Sequence, residues 1–489
     1  MLALIPSSRL NIPVVSLWAV LLLYGFLKWS PQWQSYDVEA ALDSGRLIST
    51  NGRPPVETSS HVRARKAEKI IRLTADISPI EVPYKYKFKQ LGQHTVSVRQ
   101  WIQFLDAAPS SENTLVLQLA IEGAIKRLYP FLSNSPRHPK SHTPFQDLRD
   151  GIRPRTRGIV IPTGKTTMRY AAHLISSLQS VLGTQLPIMI VYAGDQDFPP
   201  RDRKKMQSRF INVQFLDILT AVDDSTLKLG DGGWAIKAFA ALYAPYEQVI
   251  LADADCVFVQ RPEVLFKDPS YIETGALLFH DRLLWQHSYR ERHEWWRSQI
   301  DHPSATLKKS LVWSEGYAEE GDSGVVVLDK SRLDVLTGLL HVAWQNTKAV
   351  RDEVTYKLTY GDKESWWFGL ELAGAKYAFE NHYGSMVGWP RHKHEEKPKV
   401  CSFYIGHVDS NNALVWYNGG LLVNKRVDSK TLRVPTHLMI DGKWHKGSNR
   451  KEDSCMDGVE ASVLPKKAAR LLASSVSLAQ EVDMELGLA

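Results

Sequence analysis

Short apolar runs alternate with longer amphipathic segments over much of this chain. GIVIP, residues 158–162, is typical of a buried strand, and residues 163–183 repeat apolar positions at three- and four-residue spacing, which indicates a helix. The same alternation predicts a helix at residues 232–246 and further strands at residues 187–195, 213–218, 248–255, 275–280 and 324–329. Strands that alternate with helices predict an α/β fold with a mostly parallel sheet and helices on both faces.

The region before this α/β pattern divides into segments of different character. Residues 12–27 carry no charge and are just long enough to span a thin membrane. A cleaved signal peptide is the alternative, but no small-x-small cleavage site follows closely. The predicted organisation is a cytosolic tail (1–11), a transmembrane signal anchor (12–27), a stem (28–60), a helical region (61–150), an α/β domain (151–445) and a C-terminal tail (446–489).

Net charge, cysteines and charged tracts limit which ligands the protein is expected to bind. The net charge is +7, but the basic residues are scattered and no nucleic-acid-binding motif is present, so nucleic acid is not an expected partner. Cys401 and Cys455 are either bridged or free, and Cys256 is expected to be a buried thiol. The charged tract 391–399 is interpreted as a solvated loop rather than a metal site.

Two aspartates end the predicted strand at residues 248–255. Side chains two residues apart in extended backbone point to the same side, so Asp253 and Asp255 would present both carboxylates to one point. Ligands of α/β sheets bind beyond the carboxyl ends of the strands. Oxygen ligands suit a hard cation such as Mg²⁺ or Mn²⁺, so the pair predicts a metal site. The alternative is an ordinary acidic loop.

Further polar residues occur near other predicted element ends. Asp322 precedes a predicted buried strand, where it could meet a sugar or simply cap a turn. Asp362 and Glu364 precede a helix that carries a tryptophan pair, and acidic residues there are often dipole-stabilising caps. His407 is a candidate to complete a metal shell. The chain has 15 tryptophans, and such rings either form core or stack on sugars.

Several long blocks, in order, resemble the fungal α-1,3-mannosyltransferases of glycosyltransferase family seventy-one. The resemblance extends over roughly residues 115–425 and rests on five segments: GIVIPTGKTTMRYAAHLISSLQSVLGTQLPIMIVYAGDQDFP, WAIKAFAALYAPYEQVILADADCVFVQRPEVLF, TGALLFHDRLLW, DSGVVVLDKSR and RDEVTYKLTYGDKESWWFGLELAGAKYAF.

This resemblance implies a function and a location. It implies a GT-A fold in a single-pass type II Golgi membrane enzyme with a lumenal catalytic domain. It further implies Mn²⁺ dependence, GDP-mannose as donor, and α-1,3 transfer with retention to a mannose-terminated glycan of glycoproteins. A complex with other glycosyltransferases is a further expectation.

The resemblance also implies roles for individual residues, although it identifies no covalent nucleophile. Asp253 and Asp255 would bind the metal and the nucleotide, with His407 as a further metal candidate. Pro162 and Thr163 would line the nucleotide pocket. The remaining expectations are Lys237 as a diphosphate contact and Asp322, Asp362 and Glu364 on the sugar and acceptor side.

Two other functions fit parts of the sequence. ADADCV also matches the strand end of haloacid-dehalogenase-type phosphatases, in which the first aspartate is the nucleophile. That fold normally opens with this motif, whereas at least three predicted strands come earlier here. The other alternative is a membrane-anchored sugar-binding protein without catalysis, against which the intact aspartate pair argues.

Overall fold

A computed structural model describes residues 59–109, 112–231, 233–391 and 399–488. The predicted tail, the signal anchor at residues 12–27, nearly all of the stem and most of the charged tract lie outside these ranges. No helix within them is both long enough and apolar enough to cross a bilayer. The anchor and the Golgi location therefore stay predictions from the sequence.

In the part of the chain that the structure describes, four α-helices precede the first strand, and they lie in the segment expected to be helical: α1 (Ser59–Ala75), α2 (Phe88–Asp106), α3 (Glu112–Leu128) and α4 (Pro144–Asp150). Phe88, the first residue of α2, is fully buried and contacts Trp295 and Trp344 edge-on at 4.9 Å. These tryptophans come from far along the chain. The helical region therefore shares one hydrophobic core with the α/β part and is not a separate layer.

Among the described residues, the first sheet has seven strands, and the half from β3 to β4 is parallel. Its strands are β1 (Arg153–Pro162), β2 (Ile188–Tyr192), β3 (Val213–Asp217), β4 (Tyr246–Ala252), β6 (Ala276–His280), β7 (Gly321–Asp329) and β8 (Ala378–Phe379), and β5 (Cys256–Phe258) belongs elsewhere. The order is β3-β2-β1-β4-β7-β6-β8. β7 runs antiparallel between β4 and β6, so its first residues lie beside the carboxyl end of β4.

Helices cover both faces of this sheet, as the alternation predicted. On β1, Val160 packs into the core on one face while Ile159 and Ile161 pack into the core on the other, because successive side chains of a strand point to opposite faces. The helices after β1 are α5 (Met168–Ser176), α6 (Gly194–Asp197), α7 (Pro200–Arg209), α8 (Asp224–Leu227), α9 (Ile236–Tyr243), α10 (Pro269–Thr274), α11 (Arg290–Gln299), α12 (Ala305–Lys308), α13 (Leu311–Glu315), α14 (Leu333–Gln345), α15 (Lys348–Val350), α16 (Tyr356–Leu358) and α17 (Ser365–Leu372).

A second, antiparallel sheet follows, which the sequence did not predict. Its strands are β9 (Ser385–Arg391), β10 (Lys399–Val408), β11 (Leu414–Asn418), β12 (His437–Met439), β13 (Lys443–His445), β14 (Ser454–Asp457) and β15 (Ser462–Val463). β5 joins it by pairing with β11, directly after Asp255. Cys401 and Cys455 face each other on β10 and β14 and form a disulfide, while Cys256 is a buried free thiol.

The expectation of a C-terminal tail at residues 446–489 was wrong. This segment contains β14, β15 and the long helix α18 (Lys466–Leu486), which packs against α5. Leu472, Ala479 and Val482 of α18 are buried at helical spacing. Asp483 pairs with Arg169 at 2.6 Å and with His173 at 2.8 Å, so both apolar packing and charge fasten the helix.

Candidate active site

A cavity of about 1520 Å³ lies at the carboxyl ends of β1, β2 and β4 and reaches residues of the second sheet. Most of the residues singled out from the sequence line it: Pro162, Thr163, Lys237, Asp253, Asp255, Asp322 and Asp362. Glu364 and His407 are not among its lining residues. The structure thus collects at one place residues that are up to 200 positions apart along the chain.

Lys237 lines the cavity and contacts three other residues that line it. Its Nζ lies 3.0 Å from Oδ1 of Asp253 and 3.1 Å from Oδ2 of Asp362. It also donates to the carbonyl oxygen and to Oγ of Ser323, at 2.7 and 2.9 Å. The residue is only 3% exposed. An ammonium group has three protons, and these protein acceptors use all of them.

The expected diphosphate contact of Lys237 is therefore not what the structure shows. Lys237 cross-links β4, β7 and the segment before α17 instead. Burial raises the pKa of the Asp253 carboxyl to about 6, although the ammonium of Lys237 opposes the shift. Asp362 is fixed further by Trp366, whose Nε1 donates to Oδ2 at 2.8 Å. The lysine keeps the partly exposed carboxylate of Asp253 and the buried carboxylate of Asp362 in place at the edge of the cavity.

Asp255, the second aspartate of the pair, contacts a lysine of its own. Lys425 forms an ion pair with Oδ2 of Asp255, and both side chains are partly exposed to the cavity. The backbone of Asp255 is held by the turn after β11, because Gly419 N donates to its carbonyl oxygen at 3.2 Å. Gly419 and Gly420 both have positive φ, which favours glycine in this turn.

The donor set at the two aspartates fits a hard divalent cation. Their side chains are 26% and 20% exposed, and each lysine contact is made to one carboxylate oxygen, which leaves a second oxygen on each residue. Within the described ranges, no group of three or more His, Cys, Asp or Glu side chains is arranged to hold a metal. A cation here would take its other ligands from a bound phosphate or from water, as Mg²⁺ commonly does.

Asp322 is a buried carboxylate with several donors around it. Oδ1 accepts from Gly324 N at 2.9 Å and from Nδ2 of Asn418 at 3.2 Å, and Oδ2 lies 3.2 Å from Nε2 of His407. Burial alone would raise its pKa, but the hydrogen bond to His407, the charges of Lys363 and His407 and the Gly324 N–H together outweigh burial and hold the pKa below its usual range. Asp322 therefore presents a fixed negative charge at the cavity.

His407 does not serve as the expected metal ligand in this arrangement. Its Nδ1 bonds Glu380 and its Nε2 bonds Asp322, so both ring nitrogens are occupied. The ring also stacks on Trp416, with centroids 4.2 Å apart. Burial lowers the pKa of His407, but the neighbouring carboxylates, Glu380 first, outweigh it and raise the pKa to about 9. His407 is therefore a buried cation that positions Asp322.

This assignment predicts a pH-dependent contribution to stability. The pKa of a histidine is about 6.5 when unfolded, so the contribution of His407 is full below that pH and is lost as the pH rises through about 9. We expect His407→Gln to lower the free energy of unfolding at pH 7 by on the order of 3 kcal/mol. The difference from the parent should shrink toward pH 10 in thermal unfolding scans.

The control for this prediction is an exposed histidine pair. His445 lies 3.0 Å from Asp457 and its side chain is 45% exposed, so His445→Gln should change little at any pH. A gap between His407→Gln and the parent that stays constant from pH 6 to 10 would show that His407 is not a buried cation.

Glu364 has a structural role outside the cavity. Its Oε1 accepts from the backbone N of Glu320 and Gly321 at 3.0 and 3.2 Å, and its Oε2 accepts from Nε1 of Trp367 at 2.6 Å. Burial raises the pKa of Glu364 to about 8. Because it does not line the cavity, its expected place on the sugar or acceptor side is not supported. It instead fastens the segment before α17 to the start of β7.

Pro162 and Thr163 end β1 at the edge of the cavity. Thr163 N donates to the carbonyl oxygen of Val191 at 2.9 Å, which continues the parallel pairing of β1 with β2. Its buried Oγ1 has no hydrogen-bond partner among the described residues. A buried hydroxyl without a partner is unfavourable in a folded protein, so a ligand in the cavity could bond it.

Sequence reasoning missed one wall of the cavity entirely. The basic wall consists of lining residues, several of which come from the second sheet and its loops, and of these Lys425 contacts Asp255: Arg282, Lys363, Lys425, Arg426 and Lys446. Burial and the neighbouring Arg282 lower the pKa of Lys446 to about 8, as crowded cations require. No motif marks these residues. The only local signal was the turn sequence Asn418-Gly419-Gly420.

Comparison with known proteins decides the family. A sequence profile of the family described as "Mannosyltransferase putative" matches residues 156–409, slightly more than half of the chain. The chain belongs to this mannosyltransferase family. The matched range contains every aspartate of the cavity discussed above, and it also contains Lys237 and His407.

Curated members of the mannosyltransferase class are similar in sequence. Alpha-1,3-mannosyltransferase MNT3 of Saccharomyces cerevisiae is 29% identical over 273 residues, which cover 48% of this chain and 42% of that protein. Alpha-1,3-mannosyltransferase MNN1 of the same yeast is 24% identical, with 54% of this chain and 40% of that protein covered. The chain thus spans less than half the length of these relatives. Among solved structures, galactosyltransferase LgtC is similar at 13% identity and a TM-score of 0.31, over 46% of this chain and 73% of that one.

Proposed function

We propose that this protein is a metal-dependent retaining glycosyltransferase that transfers mannose from GDP-mannose. The acceptor is the terminal mannose of a glycoprotein glycan, and the bond formed is an α-1,3 linkage. Membership in the mannosyltransferase family supports glycosyl transfer. The transferred mannose and the α-1,3 linkage follow the printed names of relatives such as MNT3.

One observation carries the proposal. Asp253 and Asp255 end β4 at one side of the cavity, and a basic wall that includes Lys425, Arg426 and Lys446 lines the same cavity. A nucleoside diphosphate sugar needs both features, because its diphosphate is negative and its cation requires carboxylate oxygens. A sugar-binding protein without catalysis would need neither a cation site nor a wall for anionic phosphates.

Asp253 and Asp255 would hold the cation, and Lys425 would move from Asp255 to the diphosphate when the donor enters. A bound Mn²⁺ or Mg²⁺ would neutralise negative charge on the leaving diphosphate. Thr163 and Pro162 would contact the nucleoside, since they end the neighbouring strand β1.

The transfer breaks the bond between the anomeric carbon and the donor phosphate oxygen and forms a bond from that carbon to an acceptor hydroxyl oxygen. The hydroxyl proton leaves with the diphosphate. Positive charge develops on the sugar during this exchange. Asp322 would stabilise that charge, because His407 keeps its carboxylate ionised at the cavity wall. Asp362 would add a second fixed charge beside it.

The proposed function also includes a cellular compartment, the Golgi lumen. A disulfide between Cys401 and Cys455 forms and persists in an oxidising compartment. This agrees with a catalytic domain in the Golgi lumen that is anchored by residues 12–27 in type II orientation. A complex with other glycosyltransferases of that membrane belongs to the same proposal.

The test is a transfer assay with residues 59–489. The protein is incubated with GDP-mannose, Mn²⁺ and α-methyl-mannoside, and the products are analysed by nuclear magnetic resonance. We expect a mannobioside with an α-1,3 bond, no product after EDTA, and recovery with Mn²⁺. Release of phosphate without sugar transfer would favour the phosphatase, and binding of the sugar without turnover would favour a sugar-binding protein.

A further inference from the structure

Three aromatic side chains that line the cavity, Trp234, Trp285 and Tyr360, are exposed to solvent, and two of them contact each other. Trp234 is 47% exposed and Tyr360 is 54% exposed, and both line the cavity. Their ring centroids are 5.3 Å apart, so the two rings form one continuous surface. Large apolar surfaces on a folded protein are disfavoured in water unless a ligand covers them. Elsewhere Trp296, Trp366, Trp367 and Trp416 are fully buried.

The backbone holds Trp234 in this exposed position. Its indole lies against Gly361, where a Cβ atom would stand 2.8 Å from Cε3 of the ring. Gly361 also has a φ of 65°, a conformation that side-chain-bearing residues rarely adopt. On another side the ring of Tyr356 meets the indole edge-on at 6.3 Å. The contacts with Gly361 and Tyr356 therefore fix the orientation of the indole without the help of a ligand.

The aromatic pair is joined to the aspartates by short stretches of chain. Trp234 lies three residues before Lys237, and Tyr360 lies two residues before Asp362. The 3.1 Å ion pair between Lys237 and Asp362 locks these two stretches together, and Lys237 also contacts Asp253. A movement of the aromatic surface relative to Asp253 would break the ion pair between Lys237 and Asp362. This ion pair therefore restrains the distance between the aromatic surface and Asp253.

The strand order separates the segment that carries Tyr360 from Thr163, the proposed nucleoside contact. In the order β1-β4-β7, the aspartate pair ends the middle strand, while Thr163 ends β1. Tyr360 belongs to the segment that Glu364 fastens to Gly321 at the start of β7, at 3.2 Å. The segment that carries Tyr360 is thus fastened to β7, whereas Thr163 follows β1, and β4 lies between these two strands. If the base of the donor contacts Thr163, Tyr360 remains accessible to a different molecule.

We propose that Trp234 and Tyr360 form the acceptor subsite, on which the pyranose ring that receives the new sugar stacks. The apolar C–H face of a pyranose packs on an aromatic ring, and its hydroxyl edge remains free for polar neighbours. Asp362 follows Tyr360 closely and its carboxylate lies within the same cavity. The inference rests on the proposed glycosyl transfer and adds to it the residues that select the acceptor.

The experiment separates acceptor effects from donor effects. In Trp234→Ala the KM for α-methyl-mannoside should rise about tenfold, the change that a loss of roughly 1.4 kcal/mol of stacking gives. The dissociation constant of GDP-mannose, measured by calorimetry, should not change. Tyr360→Ala should act in the same direction, and Tyr360→Phe, which keeps the ring, should restore the parental KM.

The matched control is Tyr86→Ala, because Tyr86 is 69% exposed and does not line the cavity. That variant should keep the parental KM for both substrates. A weaker GDP-mannose affinity in Trp234→Ala with an unchanged acceptor KM would overturn the proposal, because the indole would then stack on the donor base. Unchanged values for both substrates would overturn it as well.

A binding measurement keeps this inference distinct from the proposed function. If the parent transfers no mannose, titration of α-methyl-mannoside against the protein still reports the subsite through tryptophan fluorescence. Saturable binding that is lost in Trp234→Ala and kept in Tyr86→Ala would support the aromatic subsite even though glycosyl transfer had failed. No saturable binding to the parent, or equal binding to both variants, would overturn it.

Discussion

Asp255→Asn is expected to reduce mannose transfer by about 10³-fold or more, the scale on which one strong electrostatic contact supports catalysis. The substitution keeps the size of the side chain and removes the charge that would hold the cation. Donor affinity in the presence of Mn²⁺ should fall in the same variant. Asp253→Asn should also be damaging, because Asp253 loses its charge toward both the cation and Lys237.

The fold should tolerate Asp255→Asn well. The ion pair of Asp255 with Lys425 is partly exposed, and such pairs contribute about 0–1 kcal/mol. The control is Asp301→Asn, which removes a partly exposed carboxylate 2.6 Å from Lys89, far from the cavity in the sequence. Both variants should melt within a few degrees of the parent, and only Asp255→Asn should lose activity. Near-parental turnover of Asp255→Asn, or activity that resists EDTA, would refute the cation site.

Lys237→Met is expected to lower the free energy of unfolding by about 3–5 kcal/mol, the cost of removing one partner from a buried ion pair. The reason is that Asp253 and Asp362 would face each other without the ammonium that now lies within 3.1 Å of both. The midpoint of urea unfolding measures this loss. Lys348→Met is the control, since Lys348 pairs with Asp352 on the surface and should change stability by less than about 1 kcal/mol.

A second variant separates charge from packing at this position. Lys237→Met combined with Asp362→Asn removes one of the two uncompensated carboxylates, so part of the lost stability should return. If the double variant is less stable than Lys237→Met, the carboxylates are not the source of the loss. A loss below about 1 kcal/mol in Lys237→Met alone would mean that its ammonium is hydrated rather than buried.

The sequence predicted the first sheet well for a physical reason. β2, β6 and β7, and the last residues of β1 and β4, are short apolar runs buried on both faces, and such runs can be recognised without knowledge of the strands that they pair with. The run expected at residues 324–329 became β7, Gly321–Asp329. Its antiparallel direction was not predicted, because direction depends on how the chain returns to the sheet and not on the run itself.

The second sheet and the basic wall were harder to foresee. β5 has only three residues, and its strand character depends on pairing with β11, about 160 positions later. Lys425 belongs to no motif, and only the fold brings it to Asp255. Lys237 and His407 show the same limit in another form. Both residues were singled out from the sequence as site candidates, but their roles depend on burial and on partners from distant strands, which the local sequence does not reveal.

The packing of α18 on α5 has a consequence for how the protein is made. The helix that follows β1 completes its burial only when Leu472, Ala479 and Val482 arrive, some 300 residues later in synthesis. Until then Arg169 and His173 lack the carboxylate of Asp483. A chain that is synthesised from its N-terminus must therefore expose the apolar side of α5 until α18 has been made. Chaperone binding to this helix during that interval would protect the nascent first sheet from aggregation.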